Sequence, residues 1–518
     1  MQVRLVVTEG PEAGRMFSFD GADSFLVGRS PKAHLVLDPA ADRYISRTHC
    51  LIDIRPPRCF LNDLGSTNGT FLNDRRVDRV EIGDGDVIRV GRTRIRVSIA
   101  GEIPAVDGAS PSELGTRLVA TPAGAFAERP WQPPEAAGAW QPPGLGGAVA
   151  APPLQPPPAA GEALPEDLAP ATREPELRCW LCQVDLSQVA DADGLAGELA
   201  DAIYLCPDCE GSLVTRRPGR SRFGAYTVLG ELGRGGMGVV FKAVHERTRR
   251  VCAVKQILPE AASEERAFRL FEREISVQSR VTHRNLVRLL DHGREDGCCF
   301  FVVEFLAGGD AWQLVRSVFK GPAPPRLAVR IVAEALGGLQ ALHDHGFVHR
   351  DLKPSNVLLS RPPKEGFGTA KVTDYGLAKS YEDAGNSLFN LTREGEAAGS
   401  LMFMPPEQIL NYRYVMPPAD VYAAGVTLYY LLTERYTVDH PVGGLTGGGT
   451  AFAGHARNPI EVLIEDPPIP ILERRPDLPQ RLAAVVDRAV QKELSQRYQS
   501  AADYRRELLA AAAGEDLA

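Results

Sequence analysis

Short runs of alternating hydrophobic and polar residues occupy the first hundred positions, and this period of two is typical of half-buried β-strands. The runs are rich in β-branched side chains, and turns containing Gly, Asp or Asn separate them. They include Val3–Thr8, Phe25–Val27, His34–Leu37, Cys50–Ile54, Val87–Val90 and Arg94–Ile99. Because no convincing helical pattern interrupts them, we predict an all-β sandwich domain over residues 1–100.

Hydrophobic periodicity nearly disappears in residues 101–176, where Ala, Pro, Gly and Glu predominate. Sixteen of the 41 prolines fall in this stretch, with three basic and ten acidic residues. The stretch therefore carries most of the chain's formal net charge of −8. Such a composition cannot bury enough apolar surface to form a core, so we predict a disordered linker with extended Pro-rich pieces.

Strand-like and helical patterns both return after residue 222. Val239–Val244 and Phe300–Val303 read as strands, and the amphipathic stretch Glu264–Arg280 between them reads as a helix. A chain of 518 residues is too long for one ordinary core, so we expect a multidomain protein.

Charge and hydropathy exclude several classes of protein. Without the acidic linker the folded parts are nearly neutral, which argues against a general binder of nucleic acid or of anionic membranes. The chain has no leader-like start and no run of eighteen apolar residues. We therefore expect no membrane span and a cytoplasmic protein.

Four of the nine cysteines form two CxxC pairs, Cys179 with Cys182 and Cys206 with Cys209, separated by 23 residues. Two such turns can close a tetrahedral zinc site with four thiolate ligands. A thioredoxin-like redox pair, the alternative, would need a single CxxC on a βαβ unit, which this stretch lacks. We predict a small zinc-ribbon-like module with structural zinc over residues 177–215.

The polar stretch His349–Asn356 places Lys353 two positions after Asp351 and Asn356 five positions after it. This spacing allows one loop to accept a hydroxyl proton, neutralise a phosphate and hold a divalent metal. The stretch is identified as the catalytic loop of a protein kinase, and the chain resembles the bacterial, eukaryotic-like (Hanks-type) serine/threonine kinases. The resemblance implies a bilobal α+β kinase fold over residues 223–508, followed by a C-terminal tail at 509–518.

Other motifs of the family follow in order. The glycine-rich stretch Gly233–Val240 continues into a strand rather than a helix, which favours a hairpin over triphosphate rather than a dinucleotide fold. The resemblance implies that Lys255 pairs with Glu274, with Glu272 as the alternative, and orients the ATP phosphates. The residues that the resemblance implies for ATP binding are Leu232, Gly233, Gly235, Gly238, Val240, Ala253, Lys255, Glu304 and Leu306.

Asp374-Tyr375-Gly376 resembles the metal-binding Asp-Phe-Gly motif of the kinases. The resemblance implies that Asp374 and Asn356 hold Mg²⁺ or Mn²⁺, and that Asp420 braces the backbone of the catalytic loop. Tyr375 replaces the usual Phe, so its added hydroxyl needs a hydrogen-bond partner.

Three loops of the first domain resemble those of the forkhead-associated (FHA) family: Gly28–Ser30, Ser46–His49 and Leu64–Thr70. The resemblance implies a phosphothreonine-binding surface, with His49 as a structural brace beneath it. The binding residues would be Arg29, Ser46, Arg47, Thr67 and Asn68. The partners would be phosphothreonine-containing proteins or phosphorylated segments of the chain itself.

Together these resemblances predict an ATP-dependent, non-specific serine/threonine protein kinase that acts on protein substrates and on itself. Lys353 favours Ser and Thr over Tyr as acceptors. Thr392 is the preferred autophosphorylation site, with Ser387 and Thr373 as further candidates, because an activation-loop phosphate could neutralise Arg350. The alternative is a pseudokinase scaffold that binds phosphoproteins through the FHA domain without catalysis.

Overall fold

The computed structural model describes residues 2–21, 23–38, 40, 42, 44–55, 58–100, 178–186, 201–213, 221–235, 238–257, 275, 277–295, 298–375, 401–410, 415–439 and 459–513. The chain divides into two compact units. The first comprises residues 1–142, 379–419 and 438–468, and the second comprises residues 143–378, 420–437 and 469–518. The predicted linker at 101–176 lies outside the described residues.

The described strands are β1 (Gln2–Glu9), β2 (Met16–Phe19), β3 (Asp23–Gly28), β4 (Leu35–Val36), β5 (Cys50–Arg55), β6 (Arg58–Asp63), β7 (Thr70–Leu72), β8 (Arg75–Val77), β9 (Arg79–Ile82), β10 (Val87–Val90), β11 (Thr93–Ala100), β12 (Arg222–Phe223), β13 (Tyr226–Gly235), β14 (Gly238–His245), β15 (Val251–Ile257), β16 (Leu289–Glu295), β17 (Cys298–Glu304), β18 (Val357–Leu359) and β19 (Ala370–Val372). The described α-helices are α1 (Pro207–Leu213), α2 (Ala311–Gln313), α3 (Pro325–Asp344), α4 (Pro406–Leu410), α5 (Pro417–Thr433), α6 (Pro459–Glu465), α7 (Ile471–Arg474), α8 (Gln480–Ala489) and α9 (Ala501–Ala512). None of these helices is both long and apolar enough to cross a bilayer.

Two sheets form the β-sandwich of the first unit, with strand orders β2-β1-β11-β10-β7-β8 and β4-β3-β5-β6-β9. Alternate residues of β1 (Val3, Leu5 and Val7) are buried in the core between the sheets, as the period of two requires. The predicted sandwich is therefore confirmed. The sandwich also contains β2 and the strands from β6 to β9, which are short or partly polar.

A six-stranded antiparallel sheet of order β12-β13-β14-β15-β17-β16 dominates the N-terminal part of the second unit. Strands β13 and β14 form a hairpin that runs from Tyr226 opposite His245 to Gly235 opposite Gly238. The predicted strands at Val239–Val244 and Phe300–Val303 lie within β14 and β17. The predicted hairpin at the glycine-rich stretch is thus confirmed.

Helix α3, the longest described helix of the second unit, is buried along most of its length. Pro325 occupies its first turn, where the fixed φ of proline is favourable, and apolar residues recur on its inner faces. Its neighbours are the paired strands β18 and β19, and the backbone N–H of Ala370 donates a 2.6 Å hydrogen bond to Glu334 of α3. This layer carries the catalytic-loop segment between α3 and β18.

The C-terminal helix α9 extends beyond residue 508, where the sequence analysis placed the end of the kinase domain. The helix continues to Ala512, and Ala511 and Ala512 are buried. Folded structure therefore reaches four residues into the stretch that we expected to be a tail, because small apolar side chains there still pack.

The buried carboxyl of Glu334 should make stability depend on pH. Burial raises its pKa from 4.5 to about 7, although the hydrogen bond from Ala370 and the charge of Arg330 act in the opposite direction. A raised pKa means that the folded state holds the proton more tightly than the unfolded state. This contribution to stability is complete below about pH 4.5 and is lost as the pH rises towards about 7.

We therefore predict that Glu334→Gln is more stable than the wild-type protein at pH 8, by up to about 3 kcal/mol. Most of the difference should disappear at pH 5. Urea unfolding at both pH values measures it, and Glu493→Gln on the surface serves as the control. If the difference in stability between Glu334→Gln and the wild-type protein is the same at pH 5 and pH 8, the raised pKa assigned to Glu334 is wrong.

Candidate functional site

The loop between α3 and β18 brings the three predicted catalytic-loop residues together. Lys353 Nζ lies 3.0 Å from Asp351 Oδ2. Asn356 Nδ2 donates to the main-chain oxygen of Asp351 at 2.7 Å and to its Oδ2 at 3.3 Å. A single 3₁₀ turn, Pro354–Asn356, gives Asn356 this position. A cation and an amide therefore converge on the carboxylate of Asp351.

Asp420, in the first turn of α5, holds the backbone of this loop from beneath. Its carboxylate accepts 2.8 Å hydrogen bonds from the backbone N–H groups of His349 and Arg350, and it lies 2.8 Å from His343 Nε2. Although burial alone would raise its pKa, the hydrogen bonds and the neighbouring histidines hold that pKa below the usual value. The predicted bracing role of Asp420 is confirmed. The contact with His343 was not foreseen from the sequence.

Backbone strain marks both sides of the candidate catalytic centre. Arg350 has φ of 64° and Asp374 has φ of 59°, in the left-handed region that non-glycine residues rarely adopt. The buried ring of His349 connects the two segments, because its Nε2 lies 3.0 Å from Thr373 O while its Nδ1 accepts from the backbone N–H of Asp351. Hydrogen bonds to the residues next to Arg350 and Asp374 therefore hold both strained residues in place.

Lys255 of β15 extends towards Asp374, and its Nζ lies 2.7 Å from Asp374 Oδ1. Lys255 is nearly buried, so the carboxylate meets the need of its ammonium group for an anionic neighbour. Glu274, the partner that the sequence predicts, lies outside the described residues and stays a prediction. The structure thus brings Lys255 and Asp374 together directly.

Two of the predicted nucleotide-binding residues, Val240 and Ala253, lie near Lys255 in the sheet. Val240 lies opposite Lys255 across β14 and β15, and Ala253 lies opposite Val303 across β15 and β17. Gly238 permits this close pairing, because a Cβ there would lie 2.1 Å from the main-chain oxygen of Gln256. Leu232 is half exposed on β13.

Glu304 ends β17 in a buried ion pair that sequence reasoning missed. Its carboxylate lies 2.7 and 2.9 Å from Lys371 Nζ and accepts a 2.9 Å hydrogen bond from the backbone N–H of Arg288. Leu306, two residues further on, is buried. The available signal was Lys371 itself, a lysine in the apolar run Ala370–Val372, where an ammonium group requires a buried anion. The pair connects the end of β17 to the strand that leads to Asp374.

Tyr375 is buried, and its hydroxyl donates a 2.7 Å hydrogen bond to the main-chain oxygen of Val287. The partner that the sequence requires for this hydroxyl is therefore present. Tyr375 adds a polar anchor where the family usually has Phe.

Four of the five predicted phosphothreonine-binding residues are exposed on the sandwich, and Ser46 is half-buried among them. The loops contact each other: Ser46 Oγ accepts a 3.1 Å hydrogen bond from the backbone N–H of Thr67, and Asn68 Nδ2 donates to Tyr44 O at 2.9 Å. Arg29 and Arg47 supply positive charge, and the backbone N–H of Arg29 donates to Ser46 O at 3.0 Å. The three predicted loops therefore form one polar surface.

His49 lies fully buried beneath this surface, as predicted. Its Nδ1 accepts from the backbone N–H of Ser46, and its Nε2 lies 3.2 Å from Gly69 O. Burial lowers its pKa, which favours the neutral ring. Asp63 was missed: it accepts 2.5 Å hydrogen bonds from the hydroxyls of Ser66 and Thr70 and so fixes the third loop.

The four cysteines of the two CxxC pairs form a cluster in the second unit. Their sulfur atoms all lie within 4.8 Å of one another, and Cys182 Sγ is 3.6 Å from Cys206 Sγ. For Cys179, burial opposes ionisation, but hydrogen bonds from the backbone at Cys182 and Cys206 lower the pKa to about 6. Thiolates at these separations fit the edges of a tetrahedral site with bonds of about 2.3 Å to zinc.

Fold and site together define the class of protein. Lys255 of the sheet reaches the carboxylate of Asp374. In the loop between α3 and β18, Lys353 and Asn356 converge on Asp351. This is the arrangement of a phosphoryl-transfer domain. Residues 226–500, just over half of the chain, match the protein kinase domain family, and the chain belongs to that family. Residues 25–91 match the FHA domain model, so the chain also carries an FHA domain.

The curated relatives have serine/threonine-protein kinase in their names. The chain is 34% identical over 294 residues to the serine/threonine-protein kinase pkn3 of Myxococcus xanthus, covering 55% of this chain and 49% of that protein. It is 32% identical over 289 residues to the serine/threonine-protein kinase PknB of Mycolicibacterium smegmatis, covering 54% of this chain and 42% of that protein. The chain thus spans about half the length of the curated relatives it matches, or less.

Two of the predicted phosphorylation sites, Thr392 and Ser387, lie outside the described residues. They stay predictions, as does the role of Arg350 in responding to a phosphate there.

Proposed function

We propose that the chain is an ATP-dependent serine/threonine protein kinase. The observation that carries this proposal is the convergence of Lys353 and Asn356 on Asp351, with Asp374 in contact with Lys255. Asp351 can act as a general base, and Lys353 and Lys255 provide two cations. Asn356 and Asp374 offer two oxygen ligands, and a purely structural ion pair would not need all of these groups. The names of the curated relatives support the same activity.

In the proposed reaction, the hydroxyl oxygen of a Ser or Thr side chain attacks the γ-phosphorus of ATP. The new P–O bond forms as the bond to the β–γ bridging oxygen breaks, and ADP leaves with that electron pair. Asp351 orients the hydroxyl and accepts its proton. Lys353 stabilises negative charge on the transferred group, and Lys255 orients the α- and β-phosphates.

The donor set also fits a divalent cation. Asp374 offers a carboxylate, and the nitrogen of the Asn356 side chain is directed to Asp351, so its oxygen is the atom that a cation would take. Oxygen ligands of this kind suit Mg²⁺ or Mn²⁺. When bound with ATP, the ion would neutralise charge on the phosphates.

We predict that Asp351→Asn lowers phosphate incorporation into protein by at least about 100-fold, because the proton acceptor is lost. Nucleotide affinity should change little. Radiolabelled ATP followed by phosphoamino-acid separation measures both rate and acceptor, and Asp344→Asn on the exposed end of α3 is the matched control. Equal labelling of wild type and variant would refute the assignment. Binding of ATP without transfer in the wild type would indicate the pseudokinase alternative.

We further propose that the FHA domain binds phosphothreonine peptides. The supporting observation is the single polar surface formed by the loops of Arg29, Ser46 and Thr67, with Arg47 beside them. Guanidinium groups form short, charge-assisted hydrogen bonds to phosphate, and exposed hydroxyl and amide groups can bind the remaining oxygens and the peptide backbone. Autophosphorylated segments of the chain and phosphorylated proteins are both possible ligands under this proposal.

The Arg29→Ala variant should bind a degenerate phosphothreonine peptide library about 10- to 100-fold more weakly than the wild-type chain, since one charge-assisted contact is removed. Fluorescence anisotropy measures the affinity, with the same library carrying unmodified Thr as reference. Arg58→Ala, on an exposed strand of the same sandwich, should bind normally. The proposal fails if the wild-type protein does not distinguish the two libraries.

For the four-cysteine cluster we propose structural zinc. The separations of the sulfur atoms support a site for a metal that prefers thiolates. A module of this size has little core of its own, so the metal would stabilise it.

Purified full-length protein should contain about one zinc per chain, and Cys206→Ser should lose most of it, because three ligands hold the ion less tightly than four. Elemental analysis after extensive dialysis measures the content. Cys298→Ser, at a half-buried cysteine outside the cluster, is the control. A metal-free wild type whose thiols interconvert with a disulfide would instead support the redox alternative.

A further inference from the structure

The cysteine module, defined here as residues 178–186 and 201–213, is joined to the sheet of the second unit by backbone hydrogen bonds. The backbone N–H of Val251 donates to Ile203 O at 2.7 Å, and that of Leu205 donates to Arg249 O at 2.9 Å. Tyr204 forms an antiparallel bridge with Arg250 between these two bonds. The module therefore extends the sheet at the entry to β15, the strand that carries Lys255.

A shared core and a buried ion pair reinforce this junction. Cys179 and Cys206 pack in one hydrophobic cluster with Leu229, Val244 and Val251 of the sheet. The buried Arg249 side chain lies 2.5 Å from Glu210, the residue after Cys209, and also donates to Leu205 O at 2.9 Å. Two of the candidate metal ligands are therefore part of the packing of the kinase sheet itself.

The module also contacts the segment that follows β17. Trp180 stands between Cys179 and Cys182, and Lys242 Nζ lies 4.2 Å from the centre of its ring and 4.6 Å from that of Phe305. Such separations permit cation–π attraction to both rings. Lys242 pairs across the sheet with Ala253, one of the predicted ATP-binding residues. The turn that the first CxxC pair forms thus positions an aromatic ring beside Lys242, the strand neighbour of a predicted ATP-binding residue.

A third contact reaches the segment that follows β18. Asp201 Oδ1 lies 2.7 Å from Arg361 Nε, and both side chains are largely buried. Arg361 follows β18 two residues beyond its end, and β18 continues directly from the catalytic loop. The short module therefore contacts β15, the segment at Phe305 and the segment after β18. Of these, β15 carries the predicted ATP-binding residues Ala253 and Lys255.

We propose that the cysteine module is a metal-dependent brace for nucleotide binding: the bound metal fixes Trp180 and the backbone at Tyr204, and through them the relative positions of β15, Phe305 and Arg361. This inference rests on the proposed zinc site and on the proposed nucleotide site. Loss of the metal loosens the segment at Phe305 and weakens ATP binding, although no cysteine contacts nucleotide. Trp180 and Asp201 are positioning residues in this scheme.

The test uses the full-length protein and measures zinc content, affinity for a fluorescent ATP analogue, and amide hydrogen exchange at residues 303–309. Removal of zinc with a chelator should weaken nucleotide binding by about 3- to 10-fold and increase exchange at residues 303–309, and re-addition of zinc should reverse both. These effects follow if, without zinc, only a minor fraction of the molecules has the arrangement that binds nucleotide. Reversal by zinc separates the brace from irreversible unfolding.

Two variants separate the brace from the metal. Trp180→Ala and Asp201→Asn keep all four cysteines, so they should keep zinc yet bind nucleotide more weakly and exchange faster at residues 303–309. Glu246→Gln, an exposed carboxylate three residues from Arg249, should match wild type in every measurement.

The outcomes are distinguishable. If chelated, zinc-free protein has the same affinity for the ATP analogue and the same hydrogen exchange as the zinc-bound protein, the brace is refuted and the zinc-site proposal stands. A wild type without zinc overturns both the brace and the zinc proposal, whereas a wild type that holds zinc but binds no ATP analogue refutes the nucleotide site and, with it, the brace.

Discussion

The buried carboxylate of Asp420 is the interaction on which the candidate active site depends. It satisfies two adjacent backbone N–H groups, at His349 and Arg350, that would otherwise be buried near an apolar helix without a partner. Those bonds hold Arg350 in a left-handed conformation, and the chain then turns so that Asp351 faces Lys353 and Asn356. One anion at the start of α5 thus sets the backbone from which the catalytic side chains extend, and the helix N-terminus favours its charge.

The second requirement is to keep the sheet in register with this loop, and buried charge performs that task as well. Lys371 and Glu304 connect β19 to the end of β17, while Lys255 reaches Asp374 from β15. Removing one member of a buried pair leaves the other charge desolvated, so both partners favour a single arrangement. The sheet and the loop are therefore coupled by specific pairs rather than by apolar packing alone.

Much of this could be predicted from the sequence where the signal is local. The glycine hairpin, the β-sandwich and the spacing of Asp351, Lys353 and Asn356 are properties of short stretches, and the structure contains each of them. The partners of Lys371, Asp420 and Asp63 were harder to predict from the sequence, because each contact depends on tertiary packing. A buried charge in a sequence shows that a partner must exist, but not which residue supplies it. For Lys371 that partner is 67 positions away.

The cysteine module shows the same limit at the level of a domain. Its CxxC spacing predicts a metal site from four residues, and that reasoning treats the module as independent. Its attachment is encoded elsewhere, in Lys242 of β14, in Arg249 of the turn before β15 and in Arg361 after β18. None of these residues belongs to a recognisable sequence motif. Without the module, each would be an ordinary surface cation. Because three separate cations are instead covered by the module, we regard it as part of the kinase fold of this chain rather than an appended domain.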